Sequence, residues 1–584
     1  MRFNRSSRKS NIICGIRIFK QMLHTQVENT STLAPFPTHW SSLTDAVVHQ
    51  ARNQPNALAI TDSTGIRLTY RQLLTMAIAL ANNLKSSLSS CKCVGIMLPP
   101  SAAAAAANIA IMLIGKIPVN LNYSFSQKLF DASIDECNID HVISSRHMLK
   151  RINIVPKAFV IELENVRNEV TCLEKITARL ESDFVPECFL EEFFPGLSHH
   201  SRIDFSTITN ELVVDGEKNR IDQPATIIFT AGSTGIPKAV VLSHANILSN
   251  SHAIRLRGQV LPGETILGVI PFFHAFGLTM TLWAPLCLGE SVIYHYDPLD
   301  ARCIGKLCQK FKPTAFICTP TMMTSYLRRC ASEQFASIRS LILGGEKVKP
   351  QQMKDIQSRL GDTFLEGYGL AETSPVIACN VAGMVTLEDG REVCGRRVGT
   401  VGLPLPGTTL RVTDRETGVE VARGVEGMIS VRGPQVMLGY LHHLKETDKV
   451  LNKGWFHTGD IGFIDEDGFL TITGRMSQFS KIAGEMVPHL AVEECIVRAT
   501  GGAPLDLSVT SVPDEKRGER LIVVCANLPI SPPRVVKRLR ATDISRLWIP
   551  DPSDFVLVQE LPVLRNGKLD LQAIRKIALD HACR

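Results

Sequence analysis

With 584 residues, 45 % of them hydrophobic and 21 % charged, the chain carries enough apolar side chains to fill several cores, which excludes a disordered or fibrous protein. The formal net charge of +6 is small for this length and scattered, which excludes a dedicated nucleic-acid surface. The 16 cysteines stand singly inside apolar runs, as at Cys287, Cys318 and Cys525; Cys91 and Cys93 are the closest pair, and no CxxC with metal-ligand spacing occurs. Reduced thiols buried as small hydrophobes, rather than a metal or disulfide framework, are expected, which points to a reducing, cytoplasmic compartment.

In chain order, residues 1–36 come first, basic and Ser-rich, with Arg2, Arg5, Arg8, Lys9, Arg17 and Lys20. Arg17 breaks the apolar run 12–19, too poor a core for a signal peptide, so a disordered or spurious extension is expected, with a transit-like segment or a start at Met22 as the alternatives. SLTDAVVHQARNQP then predicts a helix. The uncharged stretch 94–115 is long enough to span a membrane, but Pro99 and Pro100 interrupt it, and a strand VGIMLPP followed by a buried Ala-rich helix 102–114 is predicted. The β-branched runs HVISS, FVIEL, TAFICTP and SLILGGE alternate with helical stretches, which predicts parallel βαβ packing. From 398 to 472, GTTLRVTD, GMISVRG and GFLTITG read as short strands closed by turns. After Gly474 a small α+β module follows, ending in the helix LDLQAIRKIALDHA. The expected fold is α/β, with a large unit 37–474 of βαβ subdomains plus a β-rich subdomain, and a small mobile α+β lid 475–584.

The strongest chemical signal is ATIIFTAGSTGIPKAVVLSHANI. A β-branched strand runs into Thr230, Gly232, Ser233, Thr234 and Gly235, and Lys238 follows Pro237. Glycines let the backbone approach a ligand, hydroxyls and amides donate to phosphate oxygens, and the lysine adds charge. Pro237 before the lysine separates this loop from a Walker A sequence. LILGGEKV, EGYGLAETSP, GWFHTGDIGFIDEDGFLTITGR, KIAGEMV and LPVLRNGKLD follow in that order.

Through these blocks the chain resembles, over nearly its whole length, the adenylate-forming superfamily of acyl-CoA synthetases, luciferases and peptide-synthetase adenylation domains. The resemblance implies ATP as substrate and Mg²⁺ as cofactor, with Glu372 as the metal-binding carboxylate, a hard oxygen donor of the kind Mg²⁺ demands. It implies that Tyr368 packs on the adenine, that the Gly344, Gly345, Glu346 turn meets the base edge, and that Asp460 and Arg475 reach the ribose. It implies that Lys568 of NGK swings over the reacting carboxylate and α-phosphate during adenylation, and that His274 of PFFHAFG lies beside the acyl pocket. Within the superfamily the blocks look closest to acyl-acyl carrier protein synthetases, including the ligase half of bacterial 2-acylglycerophosphoethanolamine acyltransferases. That implies a long-chain fatty acid, its activation as acyl-AMP, and transfer to the thiol of acyl carrier protein, with coenzyme A as the alternative acceptor. An acidic carrier protein would fit the basic residues Arg534, Lys537, Arg538, Arg540 and Arg546. Peripheral contact with the inner membrane face fits a fatty-acid user, although no strong amphipathic anchor is present.

The chain departs from the family pattern at Ala371, Ala239, Gln478 and Leu564, where Thr, Gly, Asp or Lys, and Thr are usual. Ala371 and Gln478 alone support a third reading, a non-catalytic scaffold of the same fold that binds nucleotide or acyl chains. His295 and Asp300 stand at the HxxxxD spacing of glycerolipid acyltransferases, but with 16 histidines a chance match is expected, and no acyltransferase function is read from it.

Overall fold

The structure, a computed structural model, describes residues 40–184, 190, 193–197, 220–230, 237–258, 260–362, 364–387, 389–482, 485–502, 505–514, 516–542, 544–563 and 569–582. The expected extension 1–36 lies outside the described residues. Helix α1 (Leu43–Asn53) opens the fold, its first turn held by the Ser42 hydroxyl accepting the Asp45 N–H. The hairpin β1 (Leu58–Asp62) and β2 (Arg67–Thr69) and helix α2 (Tyr70–Leu84) follow.

The uncharged stretch forms β3 (Cys93–Ile96) and α3 (Ala102–Leu113), as predicted. The Ser101 hydroxyl caps α3 on the Ala104 N–H, and every α3 side chain except Ala103 is buried. Small alanines let neighbouring elements close on this helix from all sides, which accounts for its uniform hydrophobicity. Its one polar side chain, Asn108, exchanges hydrogen bonds with Asn120 of β4 (Ile117–Asn120), at 2.8 and 3.3 Å, so no buried amide is left unmatched there. Among the described residues no helix is long and apolar enough to cross a membrane.

The chain continues through β5 (His141–Ser144), β6 (Phe159–Glu162), β7 (Pro224–Thr230), β8 (Lys238–Ser243), α4 (His244–Leu256), β9 (Thr265–Gly268), β10 (Ser291–Tyr294), α5 (Ala301–Phe311), β11 (Ala315–Cys318), α6 (Pro320–Arg329), β12 (Ser340–Leu343) and β13 (Phe364–Gly369). Turn-linked strands come next: β14 (Val376–Cys379), β15 (Met384–Thr386), β16 (Glu392–Cys394), β17 (Leu403–Pro404), β18 (Thr409–Thr413), β19 (Gly427–Arg432), β20 (Gly439–Tyr440), β21 (Leu451–Asn452), β22 (Trp455–Ile464) and β23 (Leu470–Arg475).

Two large sheets result, in strand order β17-β14-β13-β12-β11-β9-β10-β1-β2 and β20-β8-β7-β4-β3-β5-β6, beside a five-stranded sheet built on β18, β19, β21, β22 and β23. Strands β9 to β13 are mutually parallel, so their carboxyl ends open on one edge, where ligands of open α/β sheets bind. The last part of the chain folds on its own sheet, in which β24 (Phe479–Ile482), β25 (Glu485–Pro488), β26 (Asp506–Asp514), β27 (Gly518–Ala526) and β28 (Phe555–Leu557) carry helices α7 (His489–Ala499), α8 (Pro532–Arg540) and α9 (Leu571–Ala582).

Candidate active site

Strands β7 and β8 form an antiparallel hairpin that pairs Thr230 with Lys238 across its mouth. The connecting loop, with Gly232, Ser233, Thr234 and Gly235, lies outside the described residues. Lys238 places its ammonium 4.8 Å from the centre of the Tyr440 ring, a cation–π distance. Tyr440 is held there because β20 pairs antiparallel with β8, Tyr440 opposite Val240. Its hydroxyl donates to Glu372 Oε1 at 2.9 Å. Lys238, Tyr440 and Glu372 therefore form one contiguous row, although 134 positions separate the first residue from the third (238 to 372).

Glu372 sits in a single 3-10 turn, Ala371–Thr373, braced on both sides. Its carbonyl accepts the Met437 N–H at 2.8 Å, and the Leu370 N–H reaches back to the Pro375 carbonyl. Helix α4 fixes the strand that follows: the Asn250 amide donates to the Val376 carbonyl at 2.7 Å and accepts the Val376 N–H at 3.2 Å. Burial raises the Glu372 carboxyl above its ordinary range, and the Tyr440 hydroxyl, Arg475 and Lys238 oppose that rise. A buried carboxylate whose charge is disfavoured gains from a nearby cation. As a hard oxygen donor it fits Mg²⁺.

A second row starts at Tyr368 on β13, whose hydroxyl donates to Asp460 Oδ2. Asp460 lies on β22 with its side chain only 1 % exposed, and its other oxygen, Oδ1, stands 2.6 Å from Arg475 Nε. The register of β22 and β23 pairs Asp460 with Arg475 directly, so the ion pair follows from the sheet itself. Burial pushes the Asp460 carboxyl up, while Arg475 and the Tyr368 hydroxyl draw it back. Arg475 and Glu372 feel each other's charge, which joins the two rows.

On the Tyr368 side lies a small apolar cavity, bounded by Ile254, Phe276, Met280, Gly345, Tyr368 and Val376 among others. Glycine is required on this wall. Gly345 has φ +82°, and a Cβ on Gly369 would lie 1.9 Å from the Pro375 carbonyl oxygen. Gly369→Ala is accordingly expected to cost about 2–3 kcal/mol, read as a lower urea midpoint for the large unit.

Tyr368, Gly345, Glu372, Lys238, Asp460, Arg475 and Thr230, all named from sequence, thus border one region. His274 is half-buried two positions before the cavity residue Phe276. The Glu346 side chain is engaged elsewhere, its Oε1 accepting the Thr321 N–H at 2.8 Å in the first turn of α6, where a carboxylate complements the unpaired helix amides, which leaves the turn's backbone as the part that would meet a base. Lys568 and Leu564 lie outside the described residues. Tyr440 and Thr458, whose hydroxyl accepts the Asp460 N–H at 3.0 Å, were missed. Tyr440 ends a two-residue strand, too short to give a periodic signal.

The profile of the family described as AMP-binding enzyme matches residues 47–441. The chain is 29 % identical over 508 residues to a long-chain-fatty-acid–CoA ligase of Bacillus subtilis, covering 83 % of this chain and 84 % of that protein. It is 26 % identical over 558 residues to a protein of the same description from Salmonella typhimurium, covering 92 % and 95 %. In fold it resembles ATP-bound MatB from Rhodopseudomonas palustris, with a TM-score of 0.72 at 24 % identity over 92 % of this chain and 98 % of that one. It also resembles o-succinylbenzoate CoA synthetase from Bacillus subtilis in complex with its acyl-adenylate intermediate, with a TM-score of 0.70 at 19 % identity over 91 % and 97 %.

Proposed function

Because the chain belongs to the AMP-binding enzyme family, we propose that it condenses a long-chain fatty acid with ATP to an acyl-adenylate and then transfers the acyl group to coenzyme A. The observation that carries this reading is the meeting of the Lys238–Tyr440–Glu372 row with the Tyr368–Asp460–Arg475 row through the charges of Glu372 and Arg475, beside an apolar cavity that Tyr368 lines. A carboxylate is a poor electrophile until its oxygen becomes part of a good leaving group, which is what adenylation supplies. Tyr368 and Gly345 bound the adenine side, and Asp460 with Arg475 accepts and orients the ribose hydroxyls. Thr230, Lys238 and the loop residues Gly232, Ser233, Thr234 and Gly235 bind the phosphates. Glu372 would hold Mg²⁺, which when bound neutralises phosphate charge. His274 and Phe276 bound the acyl side, and Lys568 stabilises the charge that develops during adenylation.

The described relatives favour coenzyme A over the acyl carrier protein expected from the sequence blocks. One observation keeps the carrier protein as a second reading. On α8 the apolar face Val535, Val536 and Leu539 is buried while Arg534, Lys537, Arg538 and Arg540 are exposed, and Arg546 is exposed close by in sequence. Such a basic face suits an acidic partner.

The test is fatty-acid-dependent exchange of pyrophosphate into ATP, followed by separate offers of the two thiols. Exchange is expected, with thioester formed on coenzyme A, and Lys568→Ala should lower exchange about 10²–10³-fold. Absence of exchange would leave only a non-catalytic scaffold, and acylation of carrier protein alone would reverse the choice of acceptor.

A further inference from the structure

Outside this site, the one group of metal-ligating side chains gathered among the described residues is His295, Asp300 and Cys303, each offering one ligand atom within 4.8 Å of the others. His295 and Asp300 are the pair at HxxxxD spacing. They do meet, but the His295 side chain is 1 % exposed, closed to an acyl donor and its acceptor. Their geometry answers to a different chemistry.

His295 follows β10 and is fixed by its N–H bonding the Gly268 carbonyl at 3.3 Å. Its Nε2 is buried with no hydrogen-bond partner, and it points at Asp300 Oδ2, 3.8 Å away. Nδ1 lies 3.8 Å from Cys303 Sγ. Asp300 is oriented by a second role: as the cap of α5, its Oδ1 accepts the Cys303 N–H at 3.0 Å, which leaves Oδ2 turned toward the imidazole. This is the bracing that holds a metal-binding carboxylate in place. The remaining charged groups nearby are already engaged, since Asp297 pairs with Arg151.

The geometry points to a divalent transition-ion site of the zinc class on His295 Nε2, Asp300 Oδ2 and Cys303 Sγ. Mixed nitrogen, oxygen and sulfur donors suit zinc or cobalt and not Mg²⁺ or Ca²⁺. Tetrahedral ligands on zinc stand roughly 3.3–3.7 Å apart, so the imidazole and carboxylate at 3.8 Å need only a small inward shift, and the half-buried Cys303, with all three ligand atoms within 4.8 Å of one another, a larger one. On binding, the Cys303 thiol becomes a thiolate, its sulfur bonds the ion, and its proton passes to water. With three protein ligands the fourth position is left for a water molecule. The site lies at the carboxyl end of β10, three strands across the sheet from the end of β12, roughly 14 Å at normal strand spacing.

The experiment titrates the full-length protein with Co²⁺ and reads the thiolate-to-cobalt charge-transfer band, then displaces the ion with Zn²⁺. One ion per chain, one proton released and a band abolished in Cys303→Ser are expected, with at least tenfold weaker binding in Asp300→Asn, whose amide oxygen can still cap α5. Cys394→Ser, at the exposed thiol, should keep the band. A missing band, a band that survives in Cys303→Ser or vanishes in Cys394→Ser, or unaltered affinity in Asp300→Asn would each overturn the assignment.

Discussion

Glu372→Gln is expected to lower fatty-acid-dependent pyrophosphate exchange about 10²–10³-fold while the fold stays intact. The amide oxygen of Gln can still accept the Tyr440 hydroxyl, and the 3-10 turn is held by backbone hydrogen bonds, so the change removes charge and little else. Without that charge Lys238 loses the anion beside it, Arg475 keeps only Asp460, and a metal ion loses its hard ligand. The measurement is exchange rate against Mg²⁺ concentration. Wild-type rates recovered at limiting Mg²⁺ would remove Glu372 from the metal site.

The same residue predicts a pH dependence. Because burial raises its pKa above the ordinary value of 4.5, the proton competes with the cation, and the Mg²⁺ concentration for half-maximal rate should climb as pH falls toward that raised value. The Gln variant should show no such climb. For the ligand-free fold the sign runs the other way. A raised carboxyl pKa contributes stability that is complete below about 4.5 and is lost as pH rises through the folded value. Glu372→Gln should therefore leave stability at neutral pH equal or higher.

Asp460→Ala is expected to weaken AMP binding by one to two orders of magnitude, read by calorimetry, since a charged acceptor is worth about 1.5–3 kcal/mol. It should also cost about 2 kcal/mol of stability, below the ~3–5 kcal/mol of a fully buried pair, because the Arg475 side chain is 51 % exposed and water can solvate it. Asp460→Asn can still accept the Tyr368 hydroxyl and should restore part of the stability but not the nucleotide affinity. Equal AMP affinity in Asp460→Ala and wild type would refute the ribose assignment.

Local signals in the sequence led to local structure. The runs HVISS, TAFICTP and SLILGGE became β5, β11 and β12, and the interrupted apolar stretch became β3 and α3, because period and Pro placement act over a few residues. Site residues inside blocks such as EGYGLAETSP and HTGD were legible for the same reason. Contacts made by strand pairing were not. Tyr440 reaches Glu372 only because β20 adds to the edge of β8, and Glu346 turns to α6 only because β12 ends beside it. The cysteines were read as inert hydrophobes, which the burial of Cys287, Cys318 and Cys525 supports. Cys303 differs because a helix cap, invisible to spacing, sets a carboxylate and an imidazole beside it.

The place of β1 in the large sheet has a consequence for synthesis on the ribosome. Ile60 of β1 pairs with Val292 of β10, 232 positions later (60 to 292), and among the described residues β2 pairs only with β1. At translation speeds of about 5–20 residues per second, the nascent hairpin waits roughly 12–46 s before its neighbour emerges. During that interval one edge of the five-residue strand β1 is open to wrong partners, so slowed translation or chaperone depletion should harm this chain's yield more than its final stability.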